Sequence, residues 1–452
     1  MGLGKTMSVL TALDYMLMAG VITTPTLVCA PLRVAGGTWP DEAAKWSHLR
    51  HIDVMPIIGD PKTRTRALMQ SIRAGNNSVY TINYENLSWL ETALSEEGIK
   101  WPFGYVVPDE STKIKGLRVS ARTSKSGKEY IQGQGGARAK ALAKMVHKYK
   151  PRITELTGTP SPNGLKDLWG QIWYLDGGQR LGRSYDAFMS RWFKKSFDGY
   201  SFEVLPHAMA EVQILLRDIC LTVDIADYQD IAAPVVNTIY VDLPSKARKL
   251  YDDMERDMFL QIKENQVEAF NQASCTIKCL QLANGAIFIN GSNKEFAEVH
   301  DVKIQALEDV LEEAAGMPVL VAYHFKPDLA RLMRAFPDGI NIATPDGLRR
   351  AKKGEGRVWF GHPDSIGHGV DGLQEHCNIC AFFGHWWNLE TFLQFIERIG
   401  GVRQMQAGRN RPVFVYHIVA RDTVDEIVMA RRDSKREVQD LLLEAMKRRG
   451  IK

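Results

Sequence analysis

Short apolar runs alternate with stretches of helical period through the first half of the chain. Thr26 to Ala30 ends at Pro31, Val79 to Ile82 follows a Gly-Asn-Asn turn, Tyr105 to Val107 runs into Pro-Asp-Glu, and Ile153 to Leu156 runs into Thr-Gly-Thr-Pro. Met7 to Met18, with apolar residues at Val9, Leu10, Leu13 and Leu17, has the spacing of a helix with one buried face. Short buried strands separated by helices predict a parallel α/β sheet. Ligands of such sheets gather at the carboxyl ends of the strands, and each of these four runs delivers polar or glycine-rich residues there.

The pattern then changes and returns. Val235 to Val241 reads as a further strand closed by Leu243-Pro244, and Ser245 to about Leu282 is charged and helical with no sheet signal. A second alternating block begins near Lys303, with a helix to Ala315 and strands at Val319–Tyr323, Val358–Phe360, Ile379–Phe383 and Val413–Tyr416. The last helix, from Asp422 to about Arg449, is amphipathic with a basic end. The predicted organisation is an α/β lobe over 1–242, a helical connector over 243–300 and a second α/β lobe over 301–452. No fixed-period repeat and no low-complexity tract interrupts it.

At 452 residues, 45% hydrophobic and 24% charged, the chain is long enough for two or three cores and has the composition of a globular protein. No apolar run approaches the ~18–20 residues that span a bilayer, and the amino end lacks a secretory pattern, so a cytoplasmic location is expected. Cys377-x-x-Cys380 beside His376 has metal-ligand spacing, but Cys380 opens an apolar run and Cys275 and Cys279 lie four apart on a helix. Core cysteines are therefore expected rather than a metal site. Charge is more informative. Twelve Lys and Arg between Ser111 and Arg152 face one acid, Glu129, so this segment carries +11 on a chain whose whole is +4. A one-sided basic block threaded with Gly and Ser predicts contact with phosphate backbone, with Arg118, Arg122, Lys125 and Lys128 as its candidate residues.

Met1-Gly2-Leu3-Gly4-Lys5-Thr6 supplies the last six residues of a G-x-x-x-x-G-K-[ST] phosphate-binding loop. The glycines let backbone N–H groups approach phosphates, Lys5 reaches the β/γ-phosphates, and Thr6 supplies a hydroxyl for Mg²⁺. Asp109-Glu110, at the end of the Tyr105–Val107 run, is the natural partner, with Asp109 a second ligand for Mg²⁺ and Glu110 a base for water. Alone such a pair is more often a turn; after a phosphate loop in a parallel sheet it carries weight.

Further strings follow in order. They are Ala30-Pro31-Leu32 with Trp39, Glu42, Lys45 and Trp46; Thr81-Ile-Asn-Tyr84-Glu85; Asp109 through Lys115; and Leu156-Thr157-Gly158-Thr159-Pro160 with Asn163, Leu168 and Trp169. In the second block, Ser365 through Asp371 precedes Trp387-Asn388, and Gln394-Phe-Ile-Glu-Arg398-Ile399 comes after. Nearly end to end, the chain resembles the superfamily-two helicases and, within them, the SWI/SNF-type DNA-dependent ATPases, in a compact version like those of bacteriophages. The resemblance implies two RecA-like lobes that use ATP and Mg²⁺ to move on DNA, double-stranded and bound without regard to sequence. It implies that Gly2, Gly4, Lys5, Thr6, Asp109, Gly369, Asp371 and Gln394 serve the nucleotide, with Arg398 a catalytic finger from the second lobe. Pro31, Thr157, Gly158, Thr159 and Asn163 would then couple it to nucleic acid.

Departures from the family pattern are local. The second arginine expected three residues after Arg398 is Gly401, and Arg403 is the candidate replacement if Gly400-Gly401 bends the loop; Thr112 stands where the acidic motif has histidine; and the segment at Asp371-Gly372 is one residue longer. The strand ahead of the phosphate loop is missing, which predicts an open slot in the first sheet and weak ATP binding. A late start, a front part on a separate polypeptide or a truncated remnant would each account for it. A non-hydrolysing nucleic-acid-binding module, one part of a split helicase, or an RNA remodeller are the alternatives. A phage or host replication or recombination protein is a possible partner. Trp169, Trp173, Trp386 and Trp387 are expected to pack within the lobes rather than to stack on bases.

Overall fold

The computed structural model describes residues 3–75, 78–123, 129–196, 202–223, 231–264, 269–289, 295–367, 369–409 and 411–447, with backbone alone at 120–132, 257–275 and 437–447. They form two compact units, Leu3–Asp224 and Ile225–Arg436.

The first unit is built on strands β1 (Thr26–Ala30), β2 (Val54–Ile57), β3 (Val79–Asn83) and β4 (Tyr105–Pro108). A hairpin of β5 (Arg118–Thr123) and β6 (Glu129–Gln134) follows, then β7 (Arg152–Ile153) and a small pair, β8 (Phe193–Lys195) and β9 (Phe202–Val204). The main sheet runs β2-β3-β1-β4-β7, all parallel. Successive residues of β1 point to opposite faces, so Leu27 and Cys29 enter one apolar cluster while Val28 and Ala30 enter another. A strand buried on both sides is continuously apolar, which is why these runs were legible.

The open slot expected from the sequence is not there. β4 pairs directly with β7, Tyr105 opposite Arg152 and Val106 opposite Ile153, and a bridge joins Asp109 to Leu156. The Leu156 N–H donates to the Pro108 carbonyl and the Ser111 N–H to the Leu156 carbonyl, both at 2.9 Å. A buried strand must place its backbone polar groups somewhere, and β7 receives those of β4.

The second unit contains β10 (Val235–Val241), β11 (Ala286–Phe288), β12 (Phe296–Glu298), β13 (Val319–Ala322), β14 (Ile340–Asn341), β15 (Val358–Gly361), β16 (Ile379–Phe382) and β17 (Phe414–Ala420). Its sheet is ordered β10-β17-β16-β13-β15-β14 and is again parallel. The structure thus differs from the boundary drawn at residue 242. β10 pairs with β17 along its whole length, from Val235–Phe414 to Val241–Ala420, and Ile239 and Val241 pack on the cluster that holds Tyr416 and Ile418. The stretch read as a connector belongs to the same unit. Within helices Ser245–Glu264 and Ala269–Asn284, Tyr251, Leu280 and Ala283 are buried against Val424 and Val428, and the Tyr251 hydroxyl accepts the Val424 N–H at 2.7 Å.

A buried polar network holds the end of the helix Ala269–Asn284. Lys303, wholly buried, donates to Asp425 (2.6 Å), Asn284 (2.9 Å) and the Phe383 carbonyl (3.2 Å). Arg331, also wholly buried, donates to the Asn284 carbonyl at 2.7 Å and to Asp301 at 2.8 Å. Cys377 and Cys380 lie in the core of the second unit, and burial pushes the Cys377 thiol up to about 12. Trp169 and Trp173 are buried in the first unit's core and Trp386 in the second's. Among the described residues no group of His, Cys, Asp and Glu is placed to hold a metal, and no helix is long and apolar enough to cross a membrane.

Candidate functional site

The helix Lys5–Met18 begins at Gly4, whose φ of 72° and ψ of 22° lie in the left-handed region that glycine occupies without penalty. The first-turn N–H groups of a helix have no partner within it, so Leu3-Gly4-Lys5-Thr6 presents donors and a positive dipole end to an anion. Gly2 lies outside the described residues. Lys5 extends to the acidic motif, its Nζ 3.7 Å from Glu110 Oε1.

That motif sits at the carboxyl end of β4. The Asp109 N–H donates to the Cys29 carbonyl at 2.8 Å, which fixes the turn to β1. Glu110 has φ 56°, a conformation a residue with a side chain adopts only where its surroundings enforce it. The turn is then held from three sides. The Glu110 N–H donates to Asp109 Oδ1 at 3.0 Å, the Tyr84 hydroxyl donates to the Asp109 carbonyl at 2.9 Å, and the Ser111 hydroxyl donates to Gln171 Oε1 at 2.7 Å. Gln171 in turn donates to the Pro160 carbonyl at 2.7 Å, joining the acidic turn to the Thr157–Pro160 string.

The most informative contact is one the sequence did not give a role. Trp39, wholly buried, donates its indole N–H to Asp109 Oδ2 at 2.9 Å. It stands at the end of a π-helical turn, Val34–Thr38, that follows Pro31. Gly36 lets this turn lie against Ile58, since a Cβ there would be 2.8 Å from Ile58 Cδ1, and Thr81 Oγ1 donates to the Ala35 carbonyl at 2.5 Å. A π-turn is costly and recurs at functional sites. In the sequence Trp39 entered only as a member of the string that begins at Ala30-Pro31-Leu32.

Burial holds the Asp109 carboxyl above the ordinary aspartate range, with Lys5 and the Trp39 N–H pulling against it and Glu110 adding to the rise. Glu110 Oε2 is buried without a hydrogen-bond partner among the described residues. Desolvation also holds Glu155, next to Leu156, well above the usual carboxylate range. Thr159 is buried, with its N–H on Thr157 Oγ1 at 3.0 Å and its own hydroxyl unpartnered among the described residues. The Asn163 N–H donates to Asp167 at 2.8 Å. Lys5, Asp109 and Glu110 thus meet in one place, and the Thr157–Pro160 string is linked to it through Gln171. Hydroxyl and carboxylate oxygens, Thr6 and Asp109, are the donor set hard cations prefer, and the buried Glu110 oxygen without a partner among the described residues is a further polar atom beside Asp109.

The second unit gathers its own group. Arg398, 8% exposed, donates to the Gln394 carbonyl (3.1 Å) and the Val370 carbonyl (2.7 Å), next to Gly369, whose φ is 66°. Arg403 pairs with Asp371, which also accepts from Gln374 at 3.1 Å. Desolvation opposes ionisation of Asp371, but Arg403, the Gly372 N–H, Gln374 and Arg398 outweigh it and hold its carboxyl below the usual range. Two expectations are corrected. Gln394, read as a nucleotide contact, has no exposed surface and turns its amide to Glu390 at 3.3 Å. Gly400 and Gly401 do not bend the loop through a positive φ; Gly400 is extended and Gly401 starts the helix Gly401–Gln406 that carries Arg403.

The basic block is less unopposed than its local count. Arg118 stacks on Tyr185, 3.9 Å from the ring centroid, and donates to the Leu117 carbonyl at 2.7 Å, so it is spent on packing. Lys115 pairs with Asp167 at 3.4 Å, Arg138 with Glu85, and Lys144 and Lys148 share Glu91 at 2.9 and 2.8 Å. The opposing acids come from distant positions, which no reading of residues 111–152 could reveal. Lys125, Lys128 and the Arg122 side chain lie outside the described residues.

A parallel sheet with a Gly-Lys-Thr helix start beside an Asp-Glu turn has the arrangement of a P-loop nucleotide site. Residues 1–284 match the SNF2-related domain, and the chain belongs to that family. It is 52% identical over 454 residues to p41 of Acyrthosiphon pisum secondary endosymbiont phage 1, covering 99% of this chain and 94% of p41. It is 23% identical over 465 residues to an ATP-dependent helicase of Mycoplasma genitalium, covering 97% of this chain and 39% of the helicase. It is 21% identical over 475 residues to the SWI/SNF-related matrix-associated actin-dependent regulator of chromatin subfamily A member 1 of Mus musculus, covering 98% of this chain and 41% of that protein. The chain therefore spans less than half the length of these two larger relatives.

Proposed function

We propose that this chain is a DNA-dependent ATPase that couples hydrolysis to movement on duplex DNA. The observation that carries the reading is the convergence of Lys5 on Glu110 at 3.7 Å, beside an Asp109 fixed from β1, Tyr84 and Trp39. Phosphoryl transfer asks the protein for position and charge rather than for covalent chemistry. The Gly4–Thr6 N–H groups and Lys5 would cradle the phosphates. Mg²⁺, held by the Thr6 hydroxyl and Asp109, would neutralise charge on them. Glu110, its Oε2 left without a partner among the described residues, would orient the attacking water and take its proton.

Arg398, supplied by the second unit, would stabilise the charge of the transferring phosphoryl group, so that closing the units completes the site and hydrolysis releases them. Affinity for DNA would come from phosphate contacts that carry no base identity. The Glu110→Gln variant is the direct test. It should bind ATP as the parent does and lose turnover, with or without DNA; near-parental turnover would remove Glu110 from the chemistry and the reading with it.

A further inference from the structure

A cavity of about 450 Å³ lies wholly within the second unit, where the turns leading into β13, β15, β16 and β17 come together. Its charged lining is Arg357, Arg409, Arg411 and Glu375, with His376 beside them. Three guanidinium groups face one carboxylate. Two have some compensation: Arg357 donates to Asp338 at 3.1 Å, and Arg409 lies 3.6 Å from Glu375.

Arg411 makes no ion pair among the described residues, and the nearby charge of Glu375 does not make up for its burial and for Arg409. Its Nε and Nη2 donate to Gln404 Oε1 at 3.1 and 2.9 Å, and Nη2 also to the Gln374 carbonyl at 2.7 Å, all neutral acceptors. Nη1 has no acceptor among the described residues. Desolvation and the charge of Arg409 both weigh against the Arg411 cation. A guanidinium fixed by neutral oxygens beside a second guanidinium is a poor resting arrangement and a good receptor for an oxyanion, which both forks can bind in parallel.

The wall is also shaped. Gly354, at φ 77°, lets the His376 ring lie flush against the backbone, and a Cβ there would be 2.8 Å from Nδ1. His376 is thereby held at the rim with its ring nitrogens as further polar groups.

We propose that this cavity binds a phosphate-bearing anion through Arg409 and Arg411. The site is wired to the arginine helix described above. Gln404, the acceptor of Arg411, follows Arg403 on the helix Gly401–Gln406, and Gln374 donates its amide to Asp371, the partner of Arg403. An anion that draws Arg411 toward the cavity loosens both holds at once, so occupancy is read at Arg403.

The test is a calorimetric titration of the full chain with inorganic pyrophosphate in a Lys5→Ala background, which removes the phosphate loop as a competitor. Saturable binding is expected, weakened roughly tenfold or more by Arg409→Gln with Arg411→Gln, the loss typical of charge-assisted hydrogen bonds. Arg357→Gln alone serves if the double variant fails to fold, with a smaller loss in the same direction. Displacement of pyrophosphate by a duplex oligonucleotide would identify the ligand as a DNA backbone phosphate; failure to displace it would identify a free anion. Absence of saturation at millimolar pyrophosphate, or binding unchanged by all three arginine substitutions, would mean that these arginines serve only the carboxyl ends of neighbouring helices, and would overturn the proposal. Failure of Glu110→Gln to stop ATP turnover leaves this experiment untouched.

Discussion

Replacing Trp39 by Phe removes one donor from the acidic turn while keeping an aromatic ring in the core. Asp109 Oδ2 loses its 2.9 Å bond, and at 5% exposure the residue has no bulk water to replace it. A hydrogen bond to a charged group contributes about 1.5–3 kcal/mol and one between neutral groups about 0.5–1.5 kcal/mol. The difference between these figures makes the loss depend on pH. Burial raises the Asp109 carboxyl above its ordinary value of 3.8, so ionising it costs the folded state stability as pH climbs. Removing Trp39 raises the carboxyl further and steepens that loss. At acid pH the aspartate is protonated in folded and unfolded chains alike, and only the neutral bond is forfeited. Denaturant unfolding of parent and variant from acid to neutral pH should therefore show a gap that widens toward neutrality, approaching about 1.5–3 kcal/mol. The acid limb of the ATPase pH profile should move to higher pH in the same variant. A gap that stays constant with pH would mean that Trp39 acts through packing alone, and the electrostatic account of the turn would be wrong.

Three further outcomes follow from the contacts described. Arg398→Ala should slow hydrolysis by about 10³-fold or more, the usual loss for an arginine finger; Arg403→Ala should do the same only if Arg403 leaves Asp371 during turnover, and Asp371→Asn reports on that release by raising or not raising the rate. Neutralising Arg122, Lys125 and Lys128 should flatten the log–log salt dependence of duplex binding by about 0.9 for each lost contact, whereas Arg118→Gln should leave the slope unchanged and lower thermal stability. Lys303→Met should cost about 3–5 kcal/mol by leaving Asp425 charged, buried and unpaired, and pairing it with Asp425→Leu should recover much of that loss in the same unfolding assay.

What the sequence revealed and what it hid divide along a physical line. Strands buried on both faces write themselves as apolar runs, so β1, β3, β4, β13, β15 and β16 were legible with their carboxyl-end residues. Sheet order is not written locally. The half-exposed run of β10 has no feature that assigns it to one sheet or the other; only its register with β17, more than 170 residues on, does so. Pairing of charges behaves likewise. Glu91 and Asp167 lie in different elements from the lysines they hold, so a segment that counts +11 in sequence is partly neutralised in space.

The acidic turn shows why the candidate site was half visible. Asp109-Glu110 after a strand is a short motif with obvious chemistry, and reading it required only its distance from Lys5 in the chain. What makes it usable is the strained φ of Glu110, and that strain is sustained by hydrogen bonds from three other places: Tyr84 after β3 and Trp39 at the end of a π-turn donate to Asp109, and Gln171 accepts from the Ser111 hydroxyl. Trp and Tyr fill cores by default and a lone Gln on a helix is usually a surface residue, so nothing in their identity marks them as positioning groups. Yet they tie the segment after Pro31 and the string Thr157–Pro160 to the same turn, the first through the Asp109 carboxylate and the second through the Ser111 hydroxyl. A displacement of either segment must change how Asp109 is held, because Trp39 bonds its side chain directly and Gln171 bonds both Ser111 and the Pro160 carbonyl. Coupling between the segments proposed to meet nucleic acid and the residues proposed to handle nucleotide therefore needs no long pathway in the first unit; it is one hydrogen bond deep on one side and two on the other.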